Sequence, residues 1–188
     1  SALKVAIWAD EKAVNTSGGT SVNATWTTHT LQTERVNTIT GASLASNQFT
    51  LPTGKYKVDV QVSSYAMTDG QIRLYSITNS TVKAASVRIF TANYISNSAS
   101  ILSGAPLVLT AYLNVTSATE VFAIQYYTNV GGVGSSLGRV RNVGSETEVY
   151  ALVTVLDLAS IQGPTGSQGT QGTDGLDAAY PYQWSTST

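Results

Sequence analysis

The chain contains no cysteine in its 188 residues, so a disulfide framework and a thiolate metal site are both excluded. Stability outside a cell would then have to come from packing and assembly. Histidine occurs once, at His29, which excludes histidine-based triads and multi-histidine metal sites. A surface or satisfied strand histidine is the plain reading of that residue. Charge is scarce too: Asp, Glu, Lys and Arg make up 11% of the chain, against roughly 25% in a typical globular protein. The formal net charge is −1, so no basic excess exists to neutralise phosphates, and nucleic-acid binding is not expected. No polybasic segment is present for a membrane surface. The longest apolar stretch, Val149 to Leu158, is about half a membrane span and is interrupted by Thr154 and Asp157. The opening Ser-Ala-Leu-Lys lacks the basic-then-apolar layout of a signal peptide. A protein of this kind acting outside a cell is expected to leave by lysis, or to have lost a leader already.

What is present suits β-structure. Hydrophobic residues reach 42%, enough for a core, and Thr, Ser, Asn, Gln and Gly fill the polar positions. The length fits one domain plus an appendage. Lys55 to Val62 reads KYKVDVQV, which puts Tyr56, Val58, Val60 and Val62 on one face and Lys55, Lys57, Asp59 and Gln61 on the other. That period of two is the mark of a half-buried strand. Pro52-Thr53-Gly54 before it reads as a turn. After it, Asp69-Gly70 opens QIRLYSIT, with Ile72, Leu74 and Ser76 opposed to Arg73, Tyr75 and Ile77. The two runs are expected to be neighbouring strands joined by a short loop. Further strands are predicted at Leu3 to Trp8, Val36 to Thr40, Gln48 to Leu51, Val82 to Thr91, Leu107 to Val115, Val121 to Asn129, Gly138 to Val143 and Glu148 to Leu158. Breakers fall between them at Ser17-Gly18-Gly19, Ser103-Gly104-Ala105-Pro106, Gly131-Gly132 and Gly144. No helical stripe is evident, and many short strands at near-regular spacing predict a sandwich or barrel.

Two strands break the alternation. Glu148 to Leu158 and Val121 to Tyr127 are apolar or aromatic on both faces, whereas one face of an antiparallel sandwich strand should be wet. Either a loop or a central position in a larger sheet covers the second face, or other subunits do.

From Gly163 the chain reads GPT-GSQ-GTQ-GTD-GLD, with glycine at Gly163, Gly166, Gly169, Gly172 and Gly175. A collagen-like triple helix needs glycine at every third position, because its axis has no room for a Cβ. The alternative is a flexible linker, which has no reason to keep a strict period. The run holds one proline, Pro164, and at ~3 Å per residue spans roughly 45 Å. It is too short to trimerise alone and needs its ends held together, which a trimeric domain just upstream would do by raising effective concentration. In such a trimer the strand from Glu148 to Leu158 should end near the threefold axis.

Five segments carry a family resemblance: Asn15 to Thr20 (NTSGGT), Thr27 to Glu34 (TTHTLQTE), Ser46 to Tyr56 (SNQFTLPTGKY), Gln71 to Thr78 (QIRLYSIT) and Gly144 to Val153 (GSETEVYALV). They resemble a tumour-necrosis-factor-like jelly roll. The closer resemblance is to trimeric domains of bacteriophage fibre and virion-surface proteins, which share the fold of the complement globular head. It covers about Val5 to Leu158 and is structural, not catalytic. Fibres of this kind often carry the globular domain at the C-terminal tip, after the collagen-like stretch. Here the head comes first, which points away from a receptor-binding tip and toward capsid decoration or anchoring.

The inventory for chemistry is thin. Gly131 to Gly138 (GGVGSSLG) shares only glycine content with a phosphate loop and reads as a hairpin loop. Asp10-Glu11 and Glu146/Glu148 are the close acidic pairs, and a glycosidase needs two carboxyls facing one cleft. Oxygen ligands from such loops would suffice for calcium, but the fixed-spacing calcium-loop pattern is absent. Arg139 and Arg141 read as projecting to one strand face near Glu146 and Glu148, either as salt bridges or as an anionic-glycan contact. Tyr94, Tyr112, Tyr126 and Tyr127 are candidates for sugar stacking or, more commonly in strands, for core and interface. Asn15, Asn23, Asn79 and Asn114 begin Asn-X-Ser/Thr triplets, which matter only in a secretory host.

The expectation is an all-β antiparallel jelly-roll sandwich forming a trimer, followed by a short collagen-like triple helix. Residues 1–160 would form the head, 161–177 the Gly-X-Y stalk and 178–188 a tail or anchor. Tyr126, Tyr150, Leu152 and Leu156 are the expected trimer-interface residues, with Gly163, Gly166, Gly169, Gly172 and Gly175 on the stalk axis. Expected partners are two further copies and other virion proteins of capsid or tail, on the virion surface. A host surface glycan belongs to the competing reading, an adhesion module. No catalytic residue, metal, cofactor or membrane insertion is expected.

Overall fold

The computed structural model describes residues 2–65, 69–90, 94–96, 99–101, 106–129, 137–140 and 144–161. The glycine-repeat run, the tail and all but the end of the Gly131 to Gly138 loop lie outside them. Among the described residues the strands are β1 (Val5–Lys12), β2 (Thr27–Thr28), β3 (Thr33–Asn37), β4 (Ser43–Ala45), β5 (Gln48–Val62), β6 (Asp69–Ser76), β7 (Thr81–Ala85), β8 (Ile89–Phe90), β9 (Tyr94–Ser96), β10 (Ala99–Ile101), β11 (Leu107–Thr128) and β12 (Glu148–Asp157), ending in a 3₁₀ turn at Leu158–Ile161. The main path of hydrogen-bonded neighbours runs β3-β1-β12-β5-β11-β6-β7, and its ladders are antiparallel.

Two long strands serve both layers of a sandwich. The second half of β5 pairs with β12 on one side and with Leu107–Val115 of β11 on the other. The first half of β5 pairs with β4 and with Thr119–Phe122, and β11 then continues along β6. One layer is therefore β3-β1-β12-β5-β11, and the other is β4-β5-β11-β6-β7. The crossing falls where Pro52 opposes Thr119 and Gly54 opposes Val115, so Thr116 to Ala118 bulge out of the ladder. Thr53 Oγ1 secures the bulge by donating to the Ser117 carbonyl at 2.6 Å.

This arrangement corrects several sequence expectations. Pro52-Thr53-Gly54 lies inside β5 and is not a turn. Pro52 is tolerated because the pairing of β5 with β4 ends at Thr50 and its pairing with β12 begins only at Tyr56, so no second neighbour needs an N–H there. Leu107 to Val115 and Val121 to Asn129 are one 22-residue strand, for the same reason that β5 is one. β5 and β6 are not neighbours; β11 lies between them. Val60 already pairs with Leu109 on one side and Val153 on the other, which leaves β5 no free edge for β6. The Val82 run splits, because Ser86 turns its hydroxyl back to accept the Ile72 N–H at 3.1 Å. At the predicted Gly138 to Val143 strand, residues 138–140 are not in a strand. Gly138 has φ 134° and lies against the Tyr150 ring, where an added Cβ would overlap it.

The core follows the period-two pattern. Val58, Val60 and Val62 of β5 and Ala151, Val153 and Val155 of β12 are buried, as are Ile72 and Leu74 of β6. The layers are joined by an aromatic stack. Trp8 of β1 meets Phe49 of β5 at 5.1 Å between centroids, and Phe49 meets Phe122 of β11 at 5.5 Å. Trp8 remains satisfied because its indole N–H donates to Glu34 at 3.0 Å.

Candidate functional site

The inner faces of both layers are used by the core, so the surfaces left for work are the outer faces. On the first layer the register sets three cross-strand rows. Val5, Leu156, Lys57 and Tyr112 form one. Val36, Ile7, Thr154, Asp59 and Thr110 form the next. Thr33, Ala9, Leu152, Gln61 and Val108 form the third. Tyr112 is 73% exposed and Val108 55%. Leu152 and Leu156 are half-buried. A shallow depression of about 300 Å³ sits there, lined by Leu152, Thr154, Asp59, Gln61, Val108 and Thr110 among others.

Three polar members of this face, Lys57, Asp59 and Thr110, are paired among themselves. Lys57 Nζ holds Asp59 at 2.8 Å, and Thr110 Oγ1 donates to the same carboxylate at 2.6 Å. Burial works to raise the Asp59 carboxyl, but those two bonds outweigh it and hold the group below its ordinary value. The face is thus a mostly apolar plane with one self-neutralised ion pair, able to pack against another surface without stranding a charge.

The predicted interface residues separate on this geometry. Leu152 and Leu156 lie on the outer face. Tyr126 is 1% exposed, among the chain's own core residues. Its hydroxyl lies beside Ser21 and Thr128, and burial pushes its pKa up. Tyr150 is buried too. The register between β1 and β12 slips at Asp10/Glu11, so Tyr150 is the extra residue of a bulge. Its hydroxyl donates to the Thr16 carbonyl at 2.8 Å, and burial, then the charges of Glu148 and Asp10, push its pKa up to about 12. Val108, which was not among the candidates, shares this outer face with Tyr112, and the alternation of LVLTAYLNV places both on one face.

The sugar-stacking tyrosines do not converge. Tyr112 is on the first layer's outer face, Tyr127 on the second's, and Tyr126 is interior. Arg139 donates to the Tyr65 hydroxyl at 2.9 Å with its guanidinium over that ring, while Arg141 lies outside the described residues. The acidic pairs are occupied or open to solvent: Asp10 binds Lys12 and Thr30, Glu11 binds Arg35, and Glu146 is exposed. Among the described residues no three His, Asp or Glu side chains gather as a metal site would require.

One buried cluster stands apart. His29 is 1% exposed, and its Nδ1 is 2.9 Å from the Thr30 carbonyl. A carbonyl only accepts, so Nδ1 carries the proton, and Nε2 is a bare acceptor without a partner among the described residues. Asp10 lies 3.8 Å from the ring and is held by Thr30 at 2.6 Å and Lys12 at 2.8 Å. Burial pulls the imidazole below its ordinary 6.5, against smaller upward pulls from Thr30 and Asp10. The folded chain therefore takes this proton later than the unfolded chain. Stability is expected to fall as pH drops below about 6.5, by up to about 1.4 kcal/mol per pH unit for one proton, until the folded group titrates. Urea midpoints from pH 8 to 5 should show that slope in the parent, and His29→Gln should flatten it. An unchanged slope would contradict the assignment.

Comparison with known proteins bears on the fold. No family model matches the sequence, and no curated protein matches it. Solved structures do match. The structure of Eiger TNF from S. frugiperda is 13% identical, with a TM-score of 0.53 over 89% of this chain and 100% of that one. The globular domain of zebrafish complement 1qA is 14% identical, with a TM-score of 0.50 over 84% and 98%. Murine APRIL is 11% identical, with a TM-score of 0.50 over 84% and 100%. The fold is a tumour-necrosis-factor-like jelly roll. At these identities the likeness is one of architecture, and it agrees with the two-layer pairing of β5 and β11. In this jelly roll the first layer carries the open apolar face, and the second carries the β6 and β7 edge.

Proposed function

We propose that the chain is a non-enzymatic homotrimeric structural protein of a virion surface, a bacteriophage fibre or capsid-decoration component. The observation that carries the trimer is the outer face of β12, β5 and β11. Leu152, Leu156, Val108 and Tyr112 point outward there, over a sheet whose inner side is already filled. Covering that apolar area would contribute about 25 cal/mol per Å² removed from water. Leu152 and Leu156 remain interface residues in this reading, joined by Val108 and Tyr112; Tyr126 and Tyr150 are buried within the chain and do not belong to the face.

Residues 1–160 act as the head, and 161–177 wind as a collagen-like stalk on Gly163, Gly166, Gly169, Gly172 and Gly175. The 3₁₀ turn at Leu158–Ile161 directly precedes it. Three assembled heads would hold the three stalk strands at high effective concentration, which a proline-poor run of this length needs. The tail at 178–188 would meet other virion proteins, on the outer surface of the particle. The virion assignment rests on the resemblance of the five head segments. No helix among the described residues is long and apolar enough to cross a membrane.

Small-angle scattering of the intact chain tests the arrangement. A head with a rod adding roughly 45 Å to its longest dimension is expected. A compact particle without that extension would overturn the stalk.

A further inference from the structure

We propose that the outer face of the second layer, at Trp26, Arg73, Tyr75 and Tyr127, is a binding site for an acidic saccharide. The Arg73 guanidinium lies 4.1 Å from the Trp26 ring centroid and 4.8 Å from that of Tyr75. Tyr127 leans on Trp26 at 5.3 Å with planes at 45°. Each of these four side chains keeps part of its surface open. The group is assembled from three places in the chain: β6 supplies Arg73 and Tyr75, β11 supplies Tyr127, and the segment before β2 supplies Trp26.

Among the described residues the cation in its centre has no counter-ion. Arg35 is paired with Glu11 and Arg88 with Asp69, but no carboxylate among the described residues pairs with Arg73. Its one hydrogen bond there is from Nε to the Gln125 amide oxygen at 2.7 Å. The terminal nitrogens are left as a planar fork, the geometry that takes a carboxylate through two parallel bonds. Burial, the main influence on this group, already disfavours its charged form, so an incoming anion would be welcome.

The surroundings select the class of ligand. Neither β6 nor β11 has a free edge here. β6 is flanked by β7 and β8, and β11 by β6 on one side and β2 on the other. A peptide therefore cannot add as a strand. A sugar ring offers C–H faces that rest on aromatic rings and hydroxyls that bond to amides such as Gln71 and Gln125. A sugar carrying a carboxylate adds the partner that Arg73 lacks. The site lies on the opposite layer from the proposed trimer face, and it depends on neither the trimer nor the virion assignment.

The test is titration of the intact chain with sialyllactose and tetragalacturonate, against lactose and maltotetraose as neutral partners and hexaglutamate as an acidic peptide. Tryptophan fluorescence and saturation-transfer NMR are the readouts. An acidic saccharide is expected to bind with a dissociation constant on the order of 1 mM, as suits a shallow exposed site. The neutral sugars should bind about tenfold more weakly or worse. Arg73→Gln should lose about tenfold or more with its melting temperature unchanged. If that variant unfolds, Arg73→Lys, which keeps a cation over the rings but not the fork, should lose part of the affinity. Equal binding of acidic and neutral sugars, retention of affinity in Arg73→Gln, binding of hexaglutamate alone, or no binding by any probe would overturn the proposal and leave Arg73 as a clasp on Trp26.

Discussion

Leu152→Asp is expected to yield a monomer, and the parent chain a trimer. Leu152 stands between Ala9 and Gln61 in the outer row and lines the depression on that face. Within a single chain the side chain is only half-buried, so aspartate there should cost the head little, about 0.5–1 kcal/mol. In an assembly that covers the face, each copy would instead bury an unpaired carboxylate, at a cost of several kcal/mol. Lys57 is the nearest cation of the face, and it is already committed to Asp59. Light scattering should therefore report one 19.7 kDa chain for the variant, with a far-ultraviolet circular dichroism spectrum still of β type. Leu156→Ala, which removes apolar area without adding charge, should weaken the assembly so that it dissociates on dilution. A Leu152→Asp chain that remains fully assembled would remove this face from the interface.

Phe49→Ala should cost the fold far more, about 3–5 kcal/mol. Its ring is fully buried between Trp8 and Phe122, with interplanar angles of 28° and 25°. Deleting it removes the middle member of the stack that ties β1 in one layer to β11 in the other. The cavity would open between two layers that are each fixed by their own hydrogen-bond ladders, so collapse around it should be poor. For a domain of this size the melting temperature should drop by about 10 °C or more. The comparison must be made at matched protein concentration, because assembly itself adds apparent stability. Tyr112→Ala, an outer-face change, should leave the stability of a dissociated chain nearly untouched. A Phe49→Ala loss no larger than the Tyr112→Ala loss would contradict the placement of the core.

The contrast between these sites shows what the sequence could reveal. KYKVDVQV alternates because β5 has one dry and one wet face, and the structure buries its valines accordingly. The doubly apolar run at Glu148 to Leu158 asked for cover on both faces; β12 runs between β1 and β5 with Ala151, Val153 and Val155 in the core and Leu152 and Leu156 half-buried on the outer face. Three features were not legible locally. Pro52 looked like punctuation, yet it sits in a strand because its free side has no neighbour, which depends on where β4 and β12 end. Tyr150 looked outward-facing by parity, but a bulge against Asp10 and Glu11 folds it under Gly18 and Gly138. The Trp26, Arg73 and Tyr75 group joins segments that no short window contains. Periodicity reads which side of a strand is dry; it cannot read which strands become neighbours.

Whether the 188-residue chain is a trimer is decided by its mass in solution, read by light scattering across a concentration series. A species of three times 19.7 kDa that persists on dilution is expected. A single-chain mass at every concentration would contradict it.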